Sequence, residues 1–252
     1  MTLALAHARS NTVELLRQPG YWLPSVAFPS LFFVFFGISA ANQIPASAPV
    51  GAEVVLTQFL LFGVLGIMFF QFGVGIAEER QLPWDRTLRV LPASATPRFV
   101  GRVLSALLFS VFAMVPVVII ALLTTNVKLD LAGWVPWFGA VFAGAIPFGL
   151  MGITLGFATT TKAALPIANI GFLLMSFFGD LFIPVEMLPS FVQKLTPWMP
   201  TFHWKVFVLD VIGAGDRGDS WQRAGLFLIG WTAFFLATAL FVYRRDEGAR
   251  YR

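Results

Sequence analysis

Asp180 and Glu186 are the side chains best placed by type for proton chemistry, because they stand at and just beyond the end of a long apolar run. A carboxylate there can relay protons or reach interfacial water, and spacing alone leaves both open. Gln58, Gln71 and Asn169 fall inside apolar runs, where an amide lines a polar pathway or ties two helices together. Other chemistries are poorly served. His203 lies between Phe202 and Trp204, and the charge pattern puts His7 on the other side of the membrane, so neither a metal site nor a Ser-His dyad is expected. Zero cysteines exclude thiolate ligands, a cysteine nucleophile and a disulfide framework. Neither His-Glu-x-x-His nor Gly-x-Ser-x-Gly occurs, and no Gly-x-x-x-x-Gly-Lys-[Ser/Thr] provides a phosphate cradle. The sequence thus predicts no enzyme and no cofactor of its own.

The elements that must position these residues follow from composition. Of 252 residues 58% are hydrophobic and 12% charged, with a mean hydropathy of +0.79, which defines an integral membrane protein. Six apolar runs, near 21–41, 54–77, 102–124, 133–159, 163–183 and 223–243, are each long enough for a hydrocarbon core of about 30 Å. The 17 cations distribute unevenly between the two sides. Arg9, Arg17, the arginines at 80–102, Lys162 and those at 244–252 share one side, against Lys128, Lys194, Lys205, Arg217 and Arg223. Both termini are therefore expected in the cytoplasm, at the plasma (inner) membrane, and the surplus positive charge answers to lipid headgroups, not nucleic acid. Residues 2–18 read as an interfacial amphipathic helix, with Leu3, Leu5, Ala8, Thr12, Leu15 and Leu16 on one side and Arg9, Asn11, Glu14 and Arg17 on the other, stopped by Pro19-Gly20.

Two connections are longer than turns require. In 184–221, the prolines at 184, 189, 197 and 200 forbid one straight helix; the sequence predicts a fifth span ending near Ile183, a short proline-bounded piece that lies at or dips into the interface, and a re-emergence near 198–204. In 78–101, Asp85 is placed to cap a short helix whose Leu88 and Leu91 share one face and Arg86 and Arg89 another, ended by Pro92. Such a rigid helix is suited to docking, although its arginines also satisfy the positive-inside pattern.

The loop pattern Glu79-Arg80, Thr87-Leu88, Leu91-Pro92, Ser94 and Gly101-Arg102 resembles the "ER … GTLE … L … P … GK" loop of type-2 ATP-binding-cassette exporter permeases. Phe182 to Pro189 resembles that family's Pro-x-Glu-x-x-Pro element. Arg86 departs from a glycine, Arg89 from a glutamate and Arg102 from a lysine common in the family. The resemblance spans essentially the whole chain. It implies an all-α permease domain over 1–252 with six transmembrane helices, an N-terminal interfacial helix and a re-entrant or interfacial element between the fifth and sixth spans. It further implies pairing with a second permease chain, as homodimer or heterodimer, and docking of a cytoplasmic ATPase subunit that holds the ATP and magnesium. Coupling to that ATPase would fall to Glu14, Arg17, Glu79, Arg80, Asp85, Arg86, Leu88 and Leu91, and an outer gate to Pro184, Glu186, Pro189 and Pro197. Gln58, Gln71, Asn169 and Asp180 are the pathway candidates.

Small residues at Gly149, Gly152 and Gly156, and at Gly63, Gly66, Gly73 and Gly75, mark close helix contacts within or between subunits, or ordinary packing. The 28 phenylalanines suit lipid and an apolar cavity for hydrophobic or amphiphilic cargo. A gradient-driven carrier using Asp180 and Glu186, and a non-transporting membrane scaffold or sensor, are the competing readings.

Overall fold

The structure is a computed structural model that describes residues 2–45, 51–82, 96–129, 131–183, 185–215 and 221–250. All regular structure among them is helical, and six helices are long and apolar enough to cross a membrane: Ser25–Gln43, Glu53–Glu79, Thr96–Thr124, Ala132–Ala158, Thr161–Phe178 and Trp221–Asp246. The second span is the axis of the bundle. Its apolar window is 78% buried, against 11% for the sixth, which lies at the periphery. Around it pack the first, third and fifth spans and the second half of the fourth, while the sixth leans on the fourth and on the helix Pro200–Val211.

Glycine sets the closest of these contacts. A Cβ on Gly152 would lie 2.5 Å from the Met68 carbonyl oxygen, and one on Gly156 would lie 2.7 Å from that of Phe72. The small-residue step of the fourth span therefore seats against the second span of the same chain, where van der Waals packing of bare backbone supplies the attraction that lipid cannot. The second span changes to a π-helical turn over Met68–Val74 at this contact.

The element boundaries differ from the sequence expectation in physically readable ways. Pro19 does not stop the N-terminal helix, which ends at Leu16; it opens the next helix, whose first turn needs no donor from proline. The third span starts at Thr96 instead of 102 and runs unbroken through Pro116. The fourth is two helices, Leu131–Gly144 and Ile146–Ala158, meeting at Ala145 with Pro147 in the first turn of the second. The fifth ends at Phe178, not near Ile183, because Asp180 takes up a left-handed conformation (φ +59°). Leu181 N–H then bonds the Ser176 carbonyl at 3.0 Å and Asp180 N–H that of Phe177 at 3.5 Å, closing a Schellman motif.

The N-terminal helix Thr2–Leu16 lies along the third span on a face that keeps Ala8, Thr12 and Leu15 of the expected apolar side and is rotated to take in Ala4, His7 and Asn11. Leu3, Leu5 and Leu16 are exposed, whereas Ala4, His7, Ala8, Asn11, Thr12 and Leu15 form the packed side. Gly101 explains this choice: a Cβ there would lie 2.9 Å from the Ala8 backbone nitrogen and 3.0 Å from the Ala4 carbonyl oxygen, so the two helices meet backbone to backbone. One turn on, the Thr12 and Ser105 hydroxyls are 3.2 Å apart.

Candidate functional site

A cavity of about 850 Å³ opens between the N-terminal helix and the first, second and fifth spans. Its upper walls are aromatic, with Phe28 and Phe32 from the first span, Phe62 and Phe70 from the second and Phe172 from the fifth. Gly63 and Gly66 keep the second-span wall thin. Toward the arginine-bearing end the lining turns polar, through Gln71 and Asn169 to Glu14, Gln18, Glu78, Glu79 and Arg102.

Gln71 is the unusual member of this lining. Its side chain is 3% exposed, yet neither Nε2 nor Oε1 has a hydrogen-bond partner. A buried amide left unpaired costs about 1–3 kcal/mol, so Gln71 is the lining residue with unused hydrogen-bonding capacity. Asn169 is exposed, its Nδ2 donating to the Leu165 carbonyl at 3.1 Å in its own helix. Two of the four predicted pathway residues thus meet in one cavity, and the other two do not.

Gln58 and Asp180 belong to a separate node at the opposite end of the bundle. Gln58 Nε2 donates to the Asp180 carbonyl at 2.9 Å, tying the second span to the end of the fifth. The Asp180 carboxylate pairs with Lys205 and accepts from the Val185 N–H at 3.1 Å. Of the two readings left open for it, reaching interfacial water does not hold for Asp180, which is 5% exposed: it is a buried, paired group that shapes the chain after the fifth span.

That chain carries Phe182 back between the first two spans. Its ring stands 5.4 Å from Phe32, 5.9 Å from Phe36, 5.6 Å from Phe62 and 5.4 Å from Phe177, between centroids. Phe32 and Phe62 also wall the cavity, so Phe182 packs behind its aromatic end. Beyond it come a short turn at Val185–Met187 that includes Glu186, a helix Ser190–Leu195 capped by Pro189, a turn Thr196–Trp198 opened by Pro197, and the helix Pro200–Val211. The proline-bounded element is therefore helical in pieces, as its spacing predicts, while Pro184 lies outside the described residues. Trp204 anchors its last helix, donating to the Val141 carbonyl at 3.0 Å, and Thr201 donates to that of Met175 at 2.7 Å.

The arginine-bearing end holds the predicted coupling residues in two groups. Arg80 projects under the fourth span, where its Nη1 donates to the carbonyls of Gly156 at 2.7 Å and Phe157 at 3.0 Å. A cation at a helix C-terminus satisfies orphan carbonyls and the helix dipole together. The same guanidinium pairs with Asp246 of the last helix, so one side chain clamps the second, fourth and sixth spans. Glu79 instead pairs with Arg102 of the third span, which also donates to the Gln71 carbonyl at 2.8 Å. Glu14 and Arg17 are exposed on the N-terminal helix, with Glu14 at the cavity rim. Asp85, Arg86, Leu88 and Leu91 lie outside the described residues. Residue types alone did not mark Lys205 and Asp246 as the partners of Asp180 and Arg80, nor Phe182 as the ring packed behind the cavity's aromatic wall.

A bundle of six apolar spans with a lateral cavity and a broken fifth-to-sixth connection defines a multi-span membrane protein with room for a guest molecule. A family model described as ABC-2 type transporter matches residues 3–211. The chain belongs to the ABC-2 type transporter family and is a membrane transport permease of that family. It is similar to the Bacillus subtilis (strain 168) protein named "Putative transport permease YvfS", with 21% identity over 234 residues that cover 93% of this chain and 94% of that protein.

Proposed function

We propose that this chain is the membrane-embedded half of an ATP-driven exporter of hydrophobic or amphiphilic molecules, working with a second permease chain and cytoplasmic ATPase subunits. The observation that carries this reading is the cavity itself, walled by the first, second and fifth spans, acidic toward one end and aromatic toward the other, where Phe182 packs behind Phe32 and Phe62. The positive-inside pattern makes the acidic end cytoplasmic, with both termini there, and so directs cargo from the cytoplasmic leaflet toward the Phe182 end.

Energy would enter through a partner, because the sequence lacks a phosphate cradle of the Gly-Lys type. The N-terminal helix presents Arg9, Val13, Glu14 and Arg17 away from the third span, a face available to an ATPase. Pressure on that face is transmitted to the third span at Gly101 and Thr12, and onward to the second span through Arg102. The predicted docking helix around Leu88 would act in parallel. At the far end, Asp180 and Lys205 hold the Phe182 segment as a gate that shifts when the first and second spans separate. A proton-driven carrier is less well supported, since its key carboxylate is held by both Lys205 and a backbone N–H.

Purification from native membranes in mild detergent, with ATP hydrolysis assayed in the eluate, tests this reading. A stoichiometric ATPase that is lost on Leu88→Asp supports it. Recovery of the permease without an ATPase, under conditions that keep other transporter complexes intact, refutes it.

A further inference from the structure

The cavity's lining is ordered along the second span. Phe62, Gly66 and Phe70 form an apolar stretch, Gln71 follows, and Glu78 closes the same wall with Glu14 facing it from the N-terminal helix. At the helical rise, Phe62 to Gln71 spans about 13 Å and Gln71 to Glu78 about 10 Å. Gln71 offers both a donor and an acceptor, each buried and unpartnered. The charge below it does not cancel: Glu79 is paired with Arg102, while among the described residues Glu14 and Glu78 pair with no cation.

Building on the export reading, we infer that this cavity takes cationic amphiphiles, in which an apolar tail lies along the phenylalanines, an amide or similar donor–acceptor group pairs with Gln71, and an ammonium ends between Glu78 and Glu14. Each part of the ligand meets a feature the fold leaves unfilled or unpaired, and the Gln71 amide, whose polar atoms are buried, turns toward the ligand on binding. The tail replaces lipid against Phe62, Phe70 and Phe172. An amide satisfies both atoms of Gln71 at once, which water in a narrow apolar recess does less well. An ammonium neutralises the uncompensated carboxylates, whereas an anionic head would be repelled by them. Gly66 lies between the rings that would flank the tail: a Cβ there would stand 3.5 Å from Phe172 and 4.0 Å from Phe70.

The test uses the full chain in lipid nanodiscs and three tritiated probes: N-dodecanoyl-1,6-diaminohexane, its carboxylate counterpart N-dodecanoyl-6-aminohexanoate, and neutral N-hexyldodecanamide. The ammonium probe is expected to bind saturably and at least tenfold more tightly than the carboxylate. Glu78→Gln should weaken the ammonium probe on the order of fivefold and leave the neutral one unchanged; Gln71→Leu should weaken both on the order of tenfold. Gln71→Leu should also raise the thermal midpoint of the empty protein, since it removes an unsatisfied amide; a fall would show that the amide serves the fold and would overturn its role as an anchor. Equal binding of the carboxylate probe, or affinities unmoved by both substitutions, likewise overturns the inference. The two readings separate cleanly. Probe selectivity without a co-purifying ATPase refutes the exporter and leaves the cation site, while an ATPase-bearing permease indifferent to probe charge refutes the cation site alone.

Discussion

Replacing Lys205 by methionine is expected to be among the most damaging single changes that touch neither the cavity nor the N-terminal helix. The substitution keeps most of the side-chain volume and removes the charge that faces Asp180. Asp180 is 5% exposed, so its carboxylate loses the Lys205 ammonium in a largely apolar surrounding. Breaking a buried pair from one side costs about 3–5 kcal/mol. For a chain of this size that corresponds to a fall of roughly 6–20 °C in thermal midpoint, measured in detergent by tryptophan fluorescence. Asp180→Asn combined with Lys205→Met provides the internal control. Asparagine tolerates the left-handed conformation at φ +59°, still accepts from Val185 and carries no charge, so the double variant should recover most of the loss. A double variant less stable than Lys205→Met, or a Lys205→Met midpoint within about 2 °C of the parent, would falsify the argument that this buried pair sets the end of the fifth span.

Other substitutions probe the remaining contacts. Gly152→Leu should abolish recovery of monodisperse protein by size-exclusion chromatography, because even its Cβ would lie 2.5 Å from the Met68 carbonyl oxygen; Gly149→Ala should be tolerated, its nearest neighbour being the Met68 sulfur at 3.6 Å. Arg80→Leu removes a clamp on three spans together with its ion pair to Asp246, and a loss of about 3–5 kcal/mol is expected in the same thermal assay. Phe182→Ala should cost about 2–4 kcal/mol from lost ring packing and increase passive leak of a small dye from proteoliposomes, while unchanged leak would argue against its role in the proposed gate. Gly101→Leu should detach the N-terminal helix from the third span, read as faster hydrogen exchange over 4–15 in an otherwise folded permease.

Apolar run length sufficed to locate the spans, since a hydrocarbon core imposes one requirement on each of them. Their ends were less legible. Pro184 looked like the natural terminator of the fifth span, but Asp180 ends it earlier, and a left-handed aspartate becomes favourable there only with Lys205 and Gln58 to hold it. Those partners are distant in sequence, 25 and 122 residues away, so no local pattern announces them. The N-terminal helix was partly legible for a related reason. Ala8, Thr12 and Leu15 of its expected apolar side pack while Leu3, Leu5 and Leu16 stay exposed, because Gly101, a residue on another helix, sets the contact. The pathway amides could not be divided from the sequence. Gln58 ended up with a partner and Gln71 without one, and only the packing around each decides which amide is structural and which is open to a ligand.

The two clamps have a mechanical consequence that neither has alone. Arg80 ties the second, fourth and sixth spans together at one end, and the Gln58–Asp180–Lys205 node ties the second span, the end of the fifth and the helix Pro200–Val211 at the other. Gly152 and Gly156 add backbone contact along the length between them, so the second and fourth spans form one stiff unit. The first and third spans join that unit through aromatic packing and the Arg102 bridge, with the N-terminal helix riding on the third. Motion imposed from the arginine-bearing end would therefore displace the first and third spans against a fixed second span. The cavity lies along that division, between the N-terminal helix and first span on one side and the second and fifth spans on the other. Widening it there would draw Phe32 away from Phe62 and release Phe182, which joins loading at one end to opening at the other without requiring either clamp to break.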